Sequence, residues 1–310
     1  MEYLAGVGGG LGDVFTRLYH HSQYQVLPLM NNRIVVDCLV TSCNPASKSV
    51  IESMLTEDGH PLFRDVICRD MFFPESPEGV KWLNNRRKER YLFLNEEQHW
   101  QDVFHGLDNI YQYGFYHGIL YHHRYGMTYQ EQTLFNELKE NRYIVIHPSG
   151  GLQAVDGLTR VEYEGLIRLL LDTFTDITFI TIGACHSRDW TDVVRRNNIT
   201  SEHGFDIQHN RFIDLTNKTS GALCANIVEN AIGFIGSHSS WMNMFWHFRK
   251  PNICVLSNNT QWGDAENYVK TNGCKWGFDF PYTKVVPVIG DIEGVYNQVI
   301  ESGKGFIDVY

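Results

Sequence analysis

Asp13 closes the glycine run Gly8-Gly9-Gly10-Leu11-Gly12-Asp13, which follows the apolar stretch Tyr3 to Val7. It precedes Val14, Phe15, Leu18 and Tyr19, whose spacing marks one face of a helix. A carboxylate at such a place has two readings. It caps the helix or faces its dipole, worth ~0.3–1 kcal/mol, or it hangs into a strand-end cleft and takes a proton from an attacking hydroxyl. Two later turns, His147-Pro148-Ser149-Gly150-Gly151 and Gly236-Ser237-His238-Ser239-Ser240, have the make-up of anion cradles. Glycine lets main-chain N–H groups approach a phosphate, and a following helix N-terminus adds partial positive charge. The first run is no P-loop, because it lacks the Lys-Ser/Thr ending. Gly8-x-Gly10-x-x-Asp13 also leaves the dinucleotide fingerprint at its third glycine.

These turns have to be held by a sheet. Short apolar runs alternate with helical patterns: strands over Tyr3 to Val7, Ile34 to Val40 and Asp65 to Cys68, with a helix over Lys48 to Leu55. Residues 76–140 are rich in aromatics and partly helical, ending in a helix from Tyr129 to Glu140. Beyond Arg142 the rhythm is regular. Strands fall at Tyr143 to His147, Ile177 to Ile182, Arg211 to Asp214, Ala231 to Ile235 and Asn252 to Leu256. Between them the pattern is helical over Arg160 to Phe174, Thr219 to Glu229 and Ser239 to Phe248, and a final amphipathic helix begins at Ile292. This alternation predicts an α/β protein with parallel sheets covered on both faces, and a domain boundary near residues 140–142. Ligands of such sheets bind beyond the carboxyl ends of the strands, where all three turns lie.

A length of 310 residues fits two core-bearing lobes. With 43% hydrophobic and 20% charged residues, the chain falls outside disordered, collagen-like and disulfide-dense classes. A net charge of −10 works against nucleic acid or an anionic membrane as partner. Seven cysteines without a CxxC pair suggest neither zinc nor a disulfide framework, so no metal or other cofactor is expected and a reducing cytoplasm suits the protein. No secretory signal is read at Met1 to Gly6. The least charged stretch, Ala231 to Phe248, is broken by serines, histidines and Asn243, so no transmembrane span is expected.

Four stretches in order resemble the motifs of the heptosyltransferase-like glycosyltransferases of family 9. They are Gly9-Gly10-Leu11-Gly12-Asp13-Val14, Ile146-His147-Pro148-Ser149-Gly150-Gly151, Asp214 to Ser220, and Phe234 to Met242 with Lys250-Pro251. The resemblance implies a GT-B architecture, two Rossmann-like lobes facing a central cleft: residues 1–141 binding the acceptor, 142–290 binding a nucleotide-sugar donor, and 291–310 a helix crossing back to the first lobe. It implies an inverting, metal-independent transfer from a nucleotide-diphosphate sugar to a glycan or other hydroxyl acceptor. Asp13 would be the general base, and Gly10, Leu11, Gly12 and Arg17 would line the acceptor side. Ser149, Gly150, Gly151, Gly183, Ser239 and Ser240 would border or bind the diphosphate, Leu215 and Thr216 the nucleobase, and Lys218 and His238 either group.

The sequence departs from that pattern where it matters. The family's last motif carries an acid, Ser or Thr, Gly and then a His, whereas His238, Ser239, Ser240 and Asn243 stand there. A charged His238 would pair with phosphate; a neutral one would only hydrogen-bond. No basic residue follows the His147-Pro148 turn before Arg160, which leaves His238, Arg160, Lys218 or Arg188 to balance the diphosphate. His147 is open to a structural hydrogen bond or a catalytic role, and Lys218 to an exposed turn. Three other functions stay open: transfer to a modified nucleic-acid base, a nucleotide-sugar epimerase or hydrolase of the same fold, and a catalytically inactive nucleotide-sugar-binding protein.

Overall fold

The computed structural model describes residues 2–7, 35–40, 45–55, 59–68, 77–88, 91–93, 124–148, 157–183, 205–216, 218–258, 263–276, 278 and 281–307. The chain divides into two compact units, residues 1–127 with 220–222, and residues 128–219 with 223–310.

In the first unit run β1 (Glu2–Val7), β2 (Val35–Val40), α1 (Pro45–Glu52), β3 (Met54–Leu55), β4 (Val66–Cys68), α2 (Pro77–Lys88), β5 (Tyr91–Phe93) and β6 (Arg124–Tyr125). Four strands form a parallel sheet in the order β4-β2-β1-β5, and β3 and β6 pair antiparallel beside it in sequence. Helix α1 starts at Pro45, whose missing N–H costs nothing in a first turn. Its Val50 and Ile51 are buried, as are Met54, Leu62 and Phe63 that follow. The chain order reverses between β1 and β5.

The second unit opens with α3 (Tyr129–Leu138), in which Thr128 and Glu131 cap each other's main-chain N–H groups. It continues through β7 (Tyr143–His147), α4 (Arg160–Thr173), β8 (Thr178–Thr181), β9 (Phe212–Asp214), α5 (Gly221–Asn230), β10 (Gly233–Gly236), α6 (Ser240–His247), β11 (Asn252–Ser257), α7 (Ala265–Trp276), β12 (Thr283–Val288) and α8 (Ile292–Ile307). The six strands are parallel in the order β12-β11-β10-β7-β8-β9, the doubly wound Rossmann order. Every residue of β7 is buried, as a central strand covered on both faces requires. Ile144 and Ile146 join Leu166, Ile167 and Leu170 of α4 and Val295 and Val299 of α8 in one core. On the other face Phe234 packs on Phe245 of α6, ring centroids 5.2 Å apart. Full burial of each such side chain contributes ~1.5–3 kcal/mol.

The α/β parallel-sheet expectation holds. The sheet has a sixth strand, β12, preceded by a helix, α7, that the pattern reading passed over. Pro287 lies inside β12, which a central strand would not tolerate but an edge strand does. The last helix packs on β12, β11 and α4 of its own unit. Arg142 Nη2 donates to the Ile307 carbonyl there at 3.3 Å. The apolar stripe Val295, Val299 and Ile300 of this helix lies in that core.

Candidate functional site

Strands β7 and β10 are neighbours with His147 opposite Gly236, and between them the winding of the sheet changes direction. That is where an open α/β sheet accepts a ligand. The two turns leaving these strands are joined. Ser237 N–H donates to the His147 carbonyl at 3.0 Å, and Ser237 Oγ donates to the Pro148 carbonyl at 2.7 Å. The Tyr163 hydroxyl, from the first turn of α4, lies 3.3 Å from Ser237 Oγ. Gly236 is obligatory at this seam: a Cβ there would stand 2.2 Å from the His147 carbonyl oxygen.

His147 is 9% exposed and ends β7 with its ring against Gly183. Gly183 has φ +115°, and a Cβ on it would meet His147 Nε2 at 2.4 Å. Among the described residues Nδ1 of His147 has no hydrogen-bond partner. Burial pushes this imidazole down to about 4, so it is neutral at pH 7. Cys224 lies nearby in the fold, in contact with Gly183 N–H and with the Thr219 hydroxyl at 3.0 Å. Its burial lifts the thiol to about 11 against those hydrogen bonds, which makes it an inert thiol rather than a nucleophile.

His238, one turn beyond β10, is held differently. Its Nδ1 is 3.0 Å from the Tyr268 hydroxyl, and its ring packs on Tyr268 and Phe278 with centroids 5.9 and 5.2 Å away. Burial lowers His238 to about 4, opposed by a hydrogen bond with Asn243. Burial also raises the Tyr268 phenol, so the hydroxyl keeps its proton beside Nδ1. Burial thus favours the neutral, hydrogen-bonding form of His238. In this last motif a His–Asn pair stands where the family has an acid and a His. Tyr163, Tyr268 and Phe278 were absent from the sequence reading, since nothing local marks a partner 74 or 30 residues away.

Ser239 is the cap of α6, its Oγ accepting from Met242 N–H at 3.4 Å, with the hydroxyl hydrogen still able to donate. Ser240 begins the helix and is partly exposed. On the neighbouring edge, Asp214 at the end of β9 accepts from Thr181 Oγ1 at 2.6 Å, Thr216 N–H at 3.0 Å and Phe205 N–H at 3.1 Å. Burial alone would raise its carboxyl, but these hydrogen bonds hold it below the ordinary range. Leu215 is buried and donates its N–H to the Thr181 carbonyl, while Thr216 is partly exposed beside it.

Two of the cation candidates, Lys218 and Arg160, have protein partners, as does Lys250. Lys218 Nζ is exposed and donates to the Asp214 carbonyl at 2.8 Å. Arg160 Nε pairs with Glu164 at 3.0 Å. Lys250 donates to the carbonyls of Glu229 and Ala231, closing the end of α5, and burial lowers it to about 8. Gly10, Leu11, Gly12, Asp13, Arg17, Ser149, Gly150, Gly151 and Arg188 lie outside the described residues. Among the described residues no helix is long and apolar enough to cross a membrane, and no group of His, Cys, Asp or Glu has the geometry of a metal site.

The fold is that of the GT-B glycosyltransferases, two-lobed enzymes with Rossmann-like sheets. The chain is similar along 99% of its length to 98% of the ADP-heptose lipopolysaccharide heptosyltransferase II of Escherichia coli, with a TM-score of 0.54 and 11% identity. It is similar over 100% of its length to 98% of a family 9 glycosyltransferase of Veillonella parvula, with a TM-score of 0.57 and 10% identity. A Listeria monocytogenes protein assigned as a UDP-N-acetylglucosamine 2-epimerase shares the fold too, at a TM-score of 0.50 and 8% identity over 98% of this chain and 88% of that one. No protein-family model and no curated protein sequence matches the chain.

Proposed function

We propose that this protein is an inverting, metal-independent glycosyltransferase that moves a sugar from a nucleotide diphosphate to a hydroxyl acceptor. The observation that carries the reading is the seam between β7 and β10, where two glycine- and serine-bearing turns are tied together at the switch point of a GT-B donor-type sheet. In this reading the turn beginning at Pro148 and the turn 236–240 hold the diphosphate through N–H and O–H donors, with Ser149, Gly150, Gly151, Ser239 and Ser240 as the donating residues. Leu215 and Thr216 border the base. Asp13, with Gly10, Leu11, Gly12 and Arg17 about it, takes the acceptor's hydroxyl proton. The acceptor oxygen then bonds to the anomeric carbon as the bond to the diphosphate oxygen breaks. The leaving nucleoside diphosphate keeps that electron pair, stabilised by the donors around it. Gly183 gives His147 its place, and Lys218 supports the loop from its Asp214 contact.

The test is a thermal-shift panel of ADP, UDP, GDP and CDP and their sugars, followed by turnover with the donor that binds. A ligand that favours the folded state raises its apparent stability. Asp13→Asn is expected to lose turnover ~100-fold or more while binding the nucleoside diphosphate as before. Equal turnover in that variant removes the base. The likeness to a 2-epimerase favours a second reading, the same nucleotide-sugar site performing epimerisation or hydrolysis. Free sugar or an epimer formed from the donor with no acceptor present decides for it.

A further inference from the structure

His147 ends β7 at the seam. The main-chain carbonyls of His147 and Pro148 and the Ser237 hydroxyl have protein partners, whereas Nδ1 of His147, a residue 9% exposed, has none among the described residues. Buried polar atoms are nearly always satisfied, and one that is not calls for a role. Its surroundings are built around it. Gly183, in the left-handed region of φ, leaves room for the ring, and Gly236 leaves room for the carbonyl of the same residue. The position is the last residue of the strand at which the sheet reverses its winding. Of the groups considered for the diphosphate, His238 is favoured neutral by burial, Arg160 is paired with Glu164, and Lys218 donates to the Asp214 carbonyl. A neutral imidazole offers an uncharged N–H to an anionic oxygen.

We infer that His147 is a binding residue for the diphosphate of the nucleotide-sugar donor, its Nδ1–H donating to a phosphate oxygen that enters over the end of β7. This rests on the glycosyltransferase reading above and adds to it a residue whose role that reading leaves unassigned. His147 acts in binding and not in the proton transfer, so its loss raises the donor KM and leaves kcat near that of the wild type.

Calorimetric titration with ADP and UDP tests the inference on the full chain. His147→Phe, which keeps the ring volume without a donor, is expected to weaken nucleoside diphosphate binding about tenfold or more. His147→Asn, whose amide nitrogen falls near the place of Nδ1, is expected to stay within about threefold of the wild type. Nitrogen NMR of the wild-type imidazoles supplies a readout that needs no variant: ADP or UDP moves the His147 Nδ1 resonance, and adenosine or uridine does not. Equal binding by His147→Phe and the wild type overturns the inference alone. An Nδ1 resonance insensitive to nucleoside diphosphate overturns it too and identifies a resident water as the partner. Absence of nucleoside diphosphate binding by the wild type overturns the glycosyltransferase reading, and this inference with it.

Discussion

His147 and His238 close neighbouring regions of one sheet, the ends of β7 and β10, and both are buried and neutral. They differ in what surrounds them. His238 is enclosed by side chains that suit it, Tyr268 on Nδ1, Asn243 beside it and two aromatic rings against its own. His147 is enclosed by absences of side chain, at Gly183 and Gly236, and its Nδ1 has no partner. Equal burial thus comes with different neighbours for the two rings.

That contrast is open to attack, beginning with the largest effect. Gly236→Ala places a Cβ against a main-chain oxygen that has nowhere to go, and a loss of ~3 kcal/mol or more is expected in urea unfolding. Wild-type stability in this variant would mean that the two turns are not stitched as described. Acid comes next. Both folded imidazoles lie below the free value of 6.5, so the unfolded chain binds more protons between pH 6.5 and about 4. Stability is full above pH 6.5 and is lost as pH falls through that window, by ~3 kcal/mol for each histidine. Unfolding curves collected from pH 7 to pH 4 should have a shallower slope, by one proton, in either His147→Phe or His238→Phe. An unchanged slope places that ring in water.

Tyr268→Phe removes the hydroxyl from His238 Nδ1 and is expected to cost ~1–2 kcal/mol. The smallest effect separates the two regions most directly. Because His147→Phe breaks no side-chain hydrogen bond, its cost at pH 7 is expected to stay under ~1 kcal/mol, whereas His238→Phe strands the Tyr268 hydroxyl and costs more. Similar losses in the two variants would erase the distinction.

Strand β7 was legible end to end because Tyr143 to His147 is a fully buried run, and such a run has one stable use in an α/β chain. Strand β12 was not, since Pro287 argues against a strand unless its edge position is already known. Helix α7 holds Asn272 and Gly273, which weaken the helical pattern until packing supplies the missing stability. In the site, the turn residues and the glycines could be picked out by type. Whether His147 was structural or functional could not, because the answer lies in which atoms lack a partner. The partners of Ser237 and His238 come from α4 and α7, elements far away along the chain.

The packing of α8 sets a timetable for the molecule. Val295, Val299 and Ile300 fill the same core as Ile144, Ile146 and α4, so the cover over the first strand of the second sheet is completed only when the last helix is made. Contacts that distant in sequence form slowly, and the nascent strand stays adhesive in the meantime. A ribosome making this protein exposes a sticky half-sheet for most of the second unit's synthesis, and a chaperone that shields β7 through that interval should raise the yield of native protein more than one that acts after release.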